Sequence, residues 1–168
     1  MSMIGIFVRV TESELQNYLS DSSLFENLID DDAFDENPNV CDIDKSWDVI
    51  SFLLTGYEAA ELANAKTPLC WTVFGAGVLD EDQDLGYGPA NYLTAEQVVL
   101  VNAALADISL KNLETNYDAH KMNELKIYPN SWGTPQDEMD YINNHLQSLK
   151  AFYASAAASK QAVICYLS

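Results

Sequence analysis

The sequence predicts an α/β or α+β fold, built as one compact domain over residues 1–168 with a small sheet covered by several helices. Two observations carry that expectation. Apolar runs rich in β-branched and aromatic residues open and close the chain, "MIGIFVRV" at 3–10 and "QAVICYLS" at 161–168. Between them the hydrophobic spacing is mostly helical, and no repeat or linker divides the chain. The two terminal strands are expected in the same sheet.

After the first strand, "TESE" sets Thr11 and Glu14 at capping-box spacing, so a short helix should run to about Leu19. "DSSLFENLID" reads as a second short helix. Residues 30–38 read as an acidic loop, without periodicity and ending near Pro38. In "CDIDKSWDVISFLLTG", residues 41–56, Asp42 stands at an N-cap position and Asp44 in the first turn, where the helix dipole favours anions. Ile43, Trp47, Ile50 and Leu54 form one buried face, Asp44, Asp48, Ser51 and Thr55 line the other side, and Gly56 stands at the C-cap. Most of that charge therefore has a structural task.

Thr67 and Pro68 suggest the start of another short helix. Strand pieces should flank the glycine-rich acidic loop within residues 75–94. Thr94 and Gln97 repeat the capping-box spacing before a helix whose face is Val98, Val101, Leu105 and Ile108. Two shorter helices are expected near 109–116 and 118–126. Thr134 and Pro135 then start the longest helix, with Met139, Ile142, Leu146, Leu149, Phe152 and Ala156 on one side.

The formal net charge is −18, from 26 Asp and Glu against 8 Lys and Arg. Its distribution is uneven: residues 1–84 carry 18 carboxylates against three cations, and residues 85–168 carry 8 against five. Such a field repels nucleic-acid backbones and anionic membranes, and it attracts a basic protein partner. Arg9 is the single arginine, which disfavours a phosphate-handling site. Cys41, Cys70 and Cys165 lack CxxC spacing, the apolar run of "MSMIGIFVRV" is too short for a secretory signal, and no run approaches the length of a membrane span, so a cytoplasmic protein with reduced thiols is expected.

Catalytic and metal signatures are weak. Asp80, Asp82 and Asp84 alternate as in a calcium loop, but Leu85 replaces the required glycine and Asn91 the bidentate glutamate. A solvated acidic loop is the better reading, and no metal or other cofactor is expected. His120 and His145 have no ligating neighbour at metal spacing. Nucleotide and nucleophile-elbow motifs are missing as well.

The "MIGIF" opening, "DIDKSW", "LLTG", "PLCWTVFG", "YGPANYLT" and "IYP" occur in that order along nearly the whole chain. In these segments the chain resembles the YfbM-like family of uncharacterised bacterial proteins. The resemblance implies a compact α/β domain of about this size and carries no established reaction. Many members of that family have histidine at or near the positions of Asp48 and Ser51, and arginine where this chain has Asn91. Any family site built on those groups would be altered here.

Two functions of different class follow. The first is a non-enzymatic acidic binding protein that neutralises a basic protein, such as an immunity protein or inhibitor of a bacterial toxin. Asp30, Asp31, Asp32, Asp35 and Glu36 would form its surface, with Asp80, Glu81 and Asp82 as a second patch. The alternative is an enzyme or small-ligand protein with a pocket holding Asp44, Trp47, Asp48, Tyr87, Asn91 and Tyr92. There Asp44 and Asp48 would be the acid/base pair. A binding module with another kind of protein partner differs from the first only in what it binds.

Overall fold

A computed structural model describes residues 2–168. Its centre is the pairing of the two terminal strands. β1 (Gly5–Val10) and β5 (Ala162–Leu167) run antiparallel along their whole length, from Gly5 opposite Leu167 to Val10 opposite Ala162. β2 (Val40–Asp42) lies outside β1, while β4 (Asn91–Leu93) and then β3 (Gly77–Val78) lie outside β5. The order is β2-β1-β5-β4-β3, and every neighbour pair is antiparallel. With helices on both faces, the fold is α+β.

Side chains alternate across a strand, so the sheet feeds two cores. Phe7, Val163, Cys165 and Leu93 face the larger one. It is covered by α3 (Trp47–Thr55), α4 (Trp71–Phe74), α5 (Ala95–Ala106), α6 (Leu110–Asn116), α7 (Ala119–Glu124) and α8 (Pro135–Ala158). The expected face of α8 is buried throughout, and Tyr153 joins it, donating its hydroxyl to the Thr72 carbonyl at 2.7 Å. Ile6, Val8, Val10, Ile164 and Tyr166 face the smaller core, closed by Leu15 of α1 (Glu12–Ser20) and Phe25 of α2 (Ser23–Ile29).

The capping boxes form as the spacing requires. Thr11 accepts from the Glu14 N–H at 3.1 Å while Glu14 accepts from the Thr11 N–H at 2.7 Å. Thr94 and Gln97 do the same at the head of α5. Each such cap contributes about 1 kcal/mol.

Five local expectations need correction. The 41–56 segment begins with a short 3-10 turn at Asp44–Ser46, and the α-helix starts only at Trp47. Asp42 ends β2 instead of capping that α-helix; it accepts the Asp44 N–H at 2.6 Å. Asp48 and Ser51, expected on the outer side of α3, are only 8% and 3% exposed, because neighbouring segments cover that side too. Residues 67–70 form a turn, closed by the Trp71 N–H donating to the Pro68 carbonyl at 3.0 Å, and α4 begins at Trp71. The acidic 30–38 segment contains a 3-10 turn, Phe34–Glu36, because Phe34 is apolar enough to bury itself in the smaller core. No described helix is long and apolar enough to cross a membrane.

Candidate functional site

The two acidic segments singled out in the sequence lie on the same layer, at opposite ends of α2. Asp30 follows the helix, Asp31 and Asp32 follow it exposed, and Asp35 and Glu36 occupy the 3-10 turn. Asp31 accepts the Ala33 N–H at 2.8 Å, which holds the bend between helix and turn. At the other end the 79–90 loop docks on α2. The Ser22 hydroxyl donates to Asp80 at 2.6 Å, and the Asp82 N–H donates to the other oxygen of Asp80 at 3.0 Å. Those two bonds, the Ser22 bond foremost, hold the Asp80 carboxyl below the ordinary carboxylate range.

Gln83 pins the loop, and sequence reasoning missed it. Its side chain is 6% exposed, donates to Glu26 at 3.1 Å and accepts the Ala90 N–H at 3.2 Å. A glutamine inside "DEDQDLG" carries no signal of burial; only the docked loop supplies its partners. With Asp80 and Gln83 turned inward, Glu81, Asp82 and Asp84 are left exposed. Among the described residues, no three His, Cys, Asp or Glu side chains converge where a metal ion would bind.

Cations stand apart from these acids. Neither lysine, arginine nor histidine occurs between Arg9 and Lys45, or between Lys66 and Lys111. Arg9 donates to the Pro38 carbonyl at 3.2 Å with its guanidinium 6.0 Å from the Phe152 ring centre, at the edge of the sheet. Lys121 lies over Phe52, and Lys150 donates to the Ile108 carbonyl, both on the opposite layer. Among the described residues the one close contact between a basic and an acidic side chain is His120 with Glu124, at 4.0 Å on α7.

The alternative ligand set is divided by the fold. Tyr87 and Asn91 line a 270 Å³ cavity on the larger-core face, together with Phe7, Phe74, Pro89 and Cys165. Trp47 does not line it but stands behind two residues that do, meeting Phe74 edge-on at 5.9 Å and packing its Cβ close to Gly5. Tyr92 follows Asn91 in a strand, so it points to the opposite face, where its ring lies over Gly77. An alanine Cβ at Gly77 would sit 2.6 Å from that ring.

Asp44 and Asp48 do not form a pair. Asp44 accepts the Tyr141 hydroxyl at 2.8 Å, whereas Asp48 accepts the Tyr128 N–H at 2.8 Å. The second oxygen of Asp48 is buried without a partner. Burial pushes the Asp48 carboxyl pKa up; the Tyr128 bond opposes that, and the nearby charge that adds to it is Glu58. Trp47 stacks on Tyr128 with centroids 5.5 Å apart, so this corner is a packed structural joint.

The cysteines are free. Burial pushes the Cys165 thiol up to about 12 and the Cys41 thiol to about 11, with Asp42 adding to the latter, so neither is an activated nucleophile.

Comparison with known proteins supplies the lineage. Residues 1–166 match the family described as "Domain of unknown function (DUF1877)", and the chain belongs to that YfbM-like family. It is 30% identical over 131 residues to "Protein YfbM" of Escherichia coli (strain K12), covering 77% of this chain and 74% of that one. The crystal structure of YfbM from Escherichia coli, titled as a protein of unknown function, superposes with a TM-score of 0.74 at 18% identity. That superposition covers 98% of this chain and 99% of the other, and at this identity it speaks for the fold alone.

Proposed function

We propose that this member of the family is a non-catalytic binding protein whose acidic layer neutralises a basic protein partner. An inhibitor or immunity protein against a basic toxin is the concrete form of that role. The observation that supports it is the isolation of the acids. Asp30, Asp31, Asp32, Asp35 and Glu36 at one end of α2, and Glu81 and Asp82 at the other, have no lysine or arginine within ion-pair distance among the described residues. A folded surface of uncompensated charge repels itself and gains when an opposite surface covers it. The same field repels nucleic acid and anionic lipid.

Affinity capture from extract of the native host, at low and high salt, tests the reading. A basic protein should be retained at low salt and released at high salt, and its retention should fall when Asp30, Asp31, Asp32, Glu81 and Asp82 are changed to their amides. Retention indifferent to those changes would overturn it.

A second reading is favoured by the 270 Å³ cavity that unites Tyr87 and Asn91. In it the protein holds a small, largely apolar ligand against Phe7 and Phe74, with Asn91 as the orienting polar group. Saturable ligand-induced shifts of the Phe74 and Asn91 resonances would support that role.

A further inference from the structure

The smaller core is not fully roofed. Beyond the C-terminal end of α2, next to the backbone pairing of Ile4 with Ser168, an open cleft of 530 Å³ reaches down to the sheet. Ile6 and Val40 form its floor, Ile29 and Phe34 one wall, and Asp35 and Asp42 stand at its rim. Strand register fixes part of this arrangement. Asp42 lies opposite Ile6 on one side and Tyr166 opposite Ile6 on the other, so the three form one row across β2, β1 and β5.

Tyr166 is the informative member of that row. It is 9% exposed, and among the described residues its hydroxyl meets no hydrogen-bond partner. Its ring is fixed edge-on against Phe25 at 5.8 Å. Burial, followed by the charges of Asp35, Asp42 and Asp30, pushes its pKa up, and Asp35 and Asp42 line the same cleft as Tyr166. The phenol oxygen is not sealed inside the core but opens on the cleft that Tyr166 lines, where a donor entering the cleft can reach it.

The chemistry of the cleft selects its occupant. An anion meets the carboxylates of Asp35 and Asp42. A purely apolar group leaves the phenol and the acids dehydrated without partners. A guanidinium carries five donors in a planar fork that bridges two carboxylates and still spares an N–H for a phenolic oxygen, and its apolar stem covers an aliphatic floor. A lysine ammonium is a compact point charge and spans less of the rim.

We propose that this cleft is the anchoring pocket for one arginine side chain of the basic protein partner. The stem lies on Ile6 and Val40, and the guanidinium donates to Asp35, Asp42 and the Tyr166 oxygen. The proposal rests on the binding reading above and names the residue that such a partner presents.

The test is a titration of the full chain with acetyl-Gly-Arg-Gly-amide, followed by the methyl resonances of Ile6 and Ile29 in NMR spectra. Two control peptides replace arginine by citrulline, which keeps the shape without the charge, or by lysine. The arginine peptide should give saturable shifts, the lysine peptide weaker binding, and citrulline a loss of at least about ten-fold. D35N/D42N should lose about as much, and Y166F should weaken binding about three-fold. Asn at position 42 can still accept the Asp44 N–H, and unchanged spectra elsewhere report that the variants remain folded.

Equal binding of the citrulline peptide, unchanged affinity in D35N/D42N, or no saturable shift would overturn the proposal. Equal affinity for the lysine peptide would overturn its choice of arginine. The broader reading fails separately. A salt-sensitive basic partner captured equally by wild type and D35N/D42N, with no arginine-peptide binding, overturns the cleft and leaves the acidic layer standing. Arginine-peptide binding with no basic partner captured supports the cleft and removes the neutralising role.

Discussion

The two faces of the sheet are built to different standards. On one, six helices bury Phe7, Val163 and Cys165, and most of the lysines sit on that side or at its edges. On the other, two short helices and a docked loop cover Ile6, Val8 and Ile164, and the concentrated acid lies there. Hydrophobic burial scales with area, and each fully buried leucine or phenylalanine contributes about 1.5–3 kcal/mol, so the first face carries most of the stability. The second face has little cover and much charge. A layer that thin is a poor scaffold for packing and a good one for display.

The sharpest break of that comparison uses one substitution on each face. Leu149 on α8 and Leu15 on α1 are both fully buried. Leu→Ala replacements in cores cost about 2–5 kcal/mol, more where the surroundings cannot collapse into the gap. Leu149→Ala should fall in the upper half of that range and Leu15→Ala near its lower end, as read from urea midpoints at constant slope. Equal losses would mean that the acidic layer is as rigid as the helical one.

Asp48 offers the next test, since it is the buried acid of the helical face. Its pKa is higher folded than unfolded, so the proton binds the folded state more tightly. The stability this contributes is fully present below the unfolded carboxylate value and is lost as pH rises through the raised folded value. Asn in its place still accepts the Tyr128 N–H and has no charge to bury. Asp48→Asn should therefore stabilise by ~1 kcal/mol at neutral pH, with the gain fading in acid. A gain that persisted at low pH would assign it to something other than the proton.

The smallest effect belongs to the displayed acids. Asp31→Asn keeps the oxygen that accepts the Ala33 N–H and removes only charge. Combined with Asp32→Asn, it should raise the melting temperature slightly at low ionic strength and leave it unchanged in high salt. The same pair of changes on Asp137 and Asp140 of α8, away from the crowded layer, should do less.

What the sequence made legible follows the same division. Periodicity and capping chemistry are local, so Thr11 with Glu14, Thr94 with Gln97, the α8 face and the terminal strands are all readable. β2 is three residues long, and "VCD" has no period to detect. Asp48 reads as outward from α3 alone; its burial depends on Tyr128, 80 residues later in the chain. Placing Asn91 and Tyr92 in one pocket overlooked the strand alternation that separates them. Tyr166 and Asp42 become neighbours of Ile6 only through register, which no local pattern in either segment reveals.

The central partnership of β1 with β5 has a consequence for synthesis. A chain emerging from the ribosome presents β1 first, yet the strand that flanks it in the middle of the sheet is encoded at the far end. Until β5 arrives, β2-β1 and β4-β3 are two separate scraps of sheet, each with an open inner edge. Pairing β1 with β5 therefore closes a loop that holds every other element of the fold, and such non-local pairing is slow because its loop-closure entropy is lost before the contact is gained.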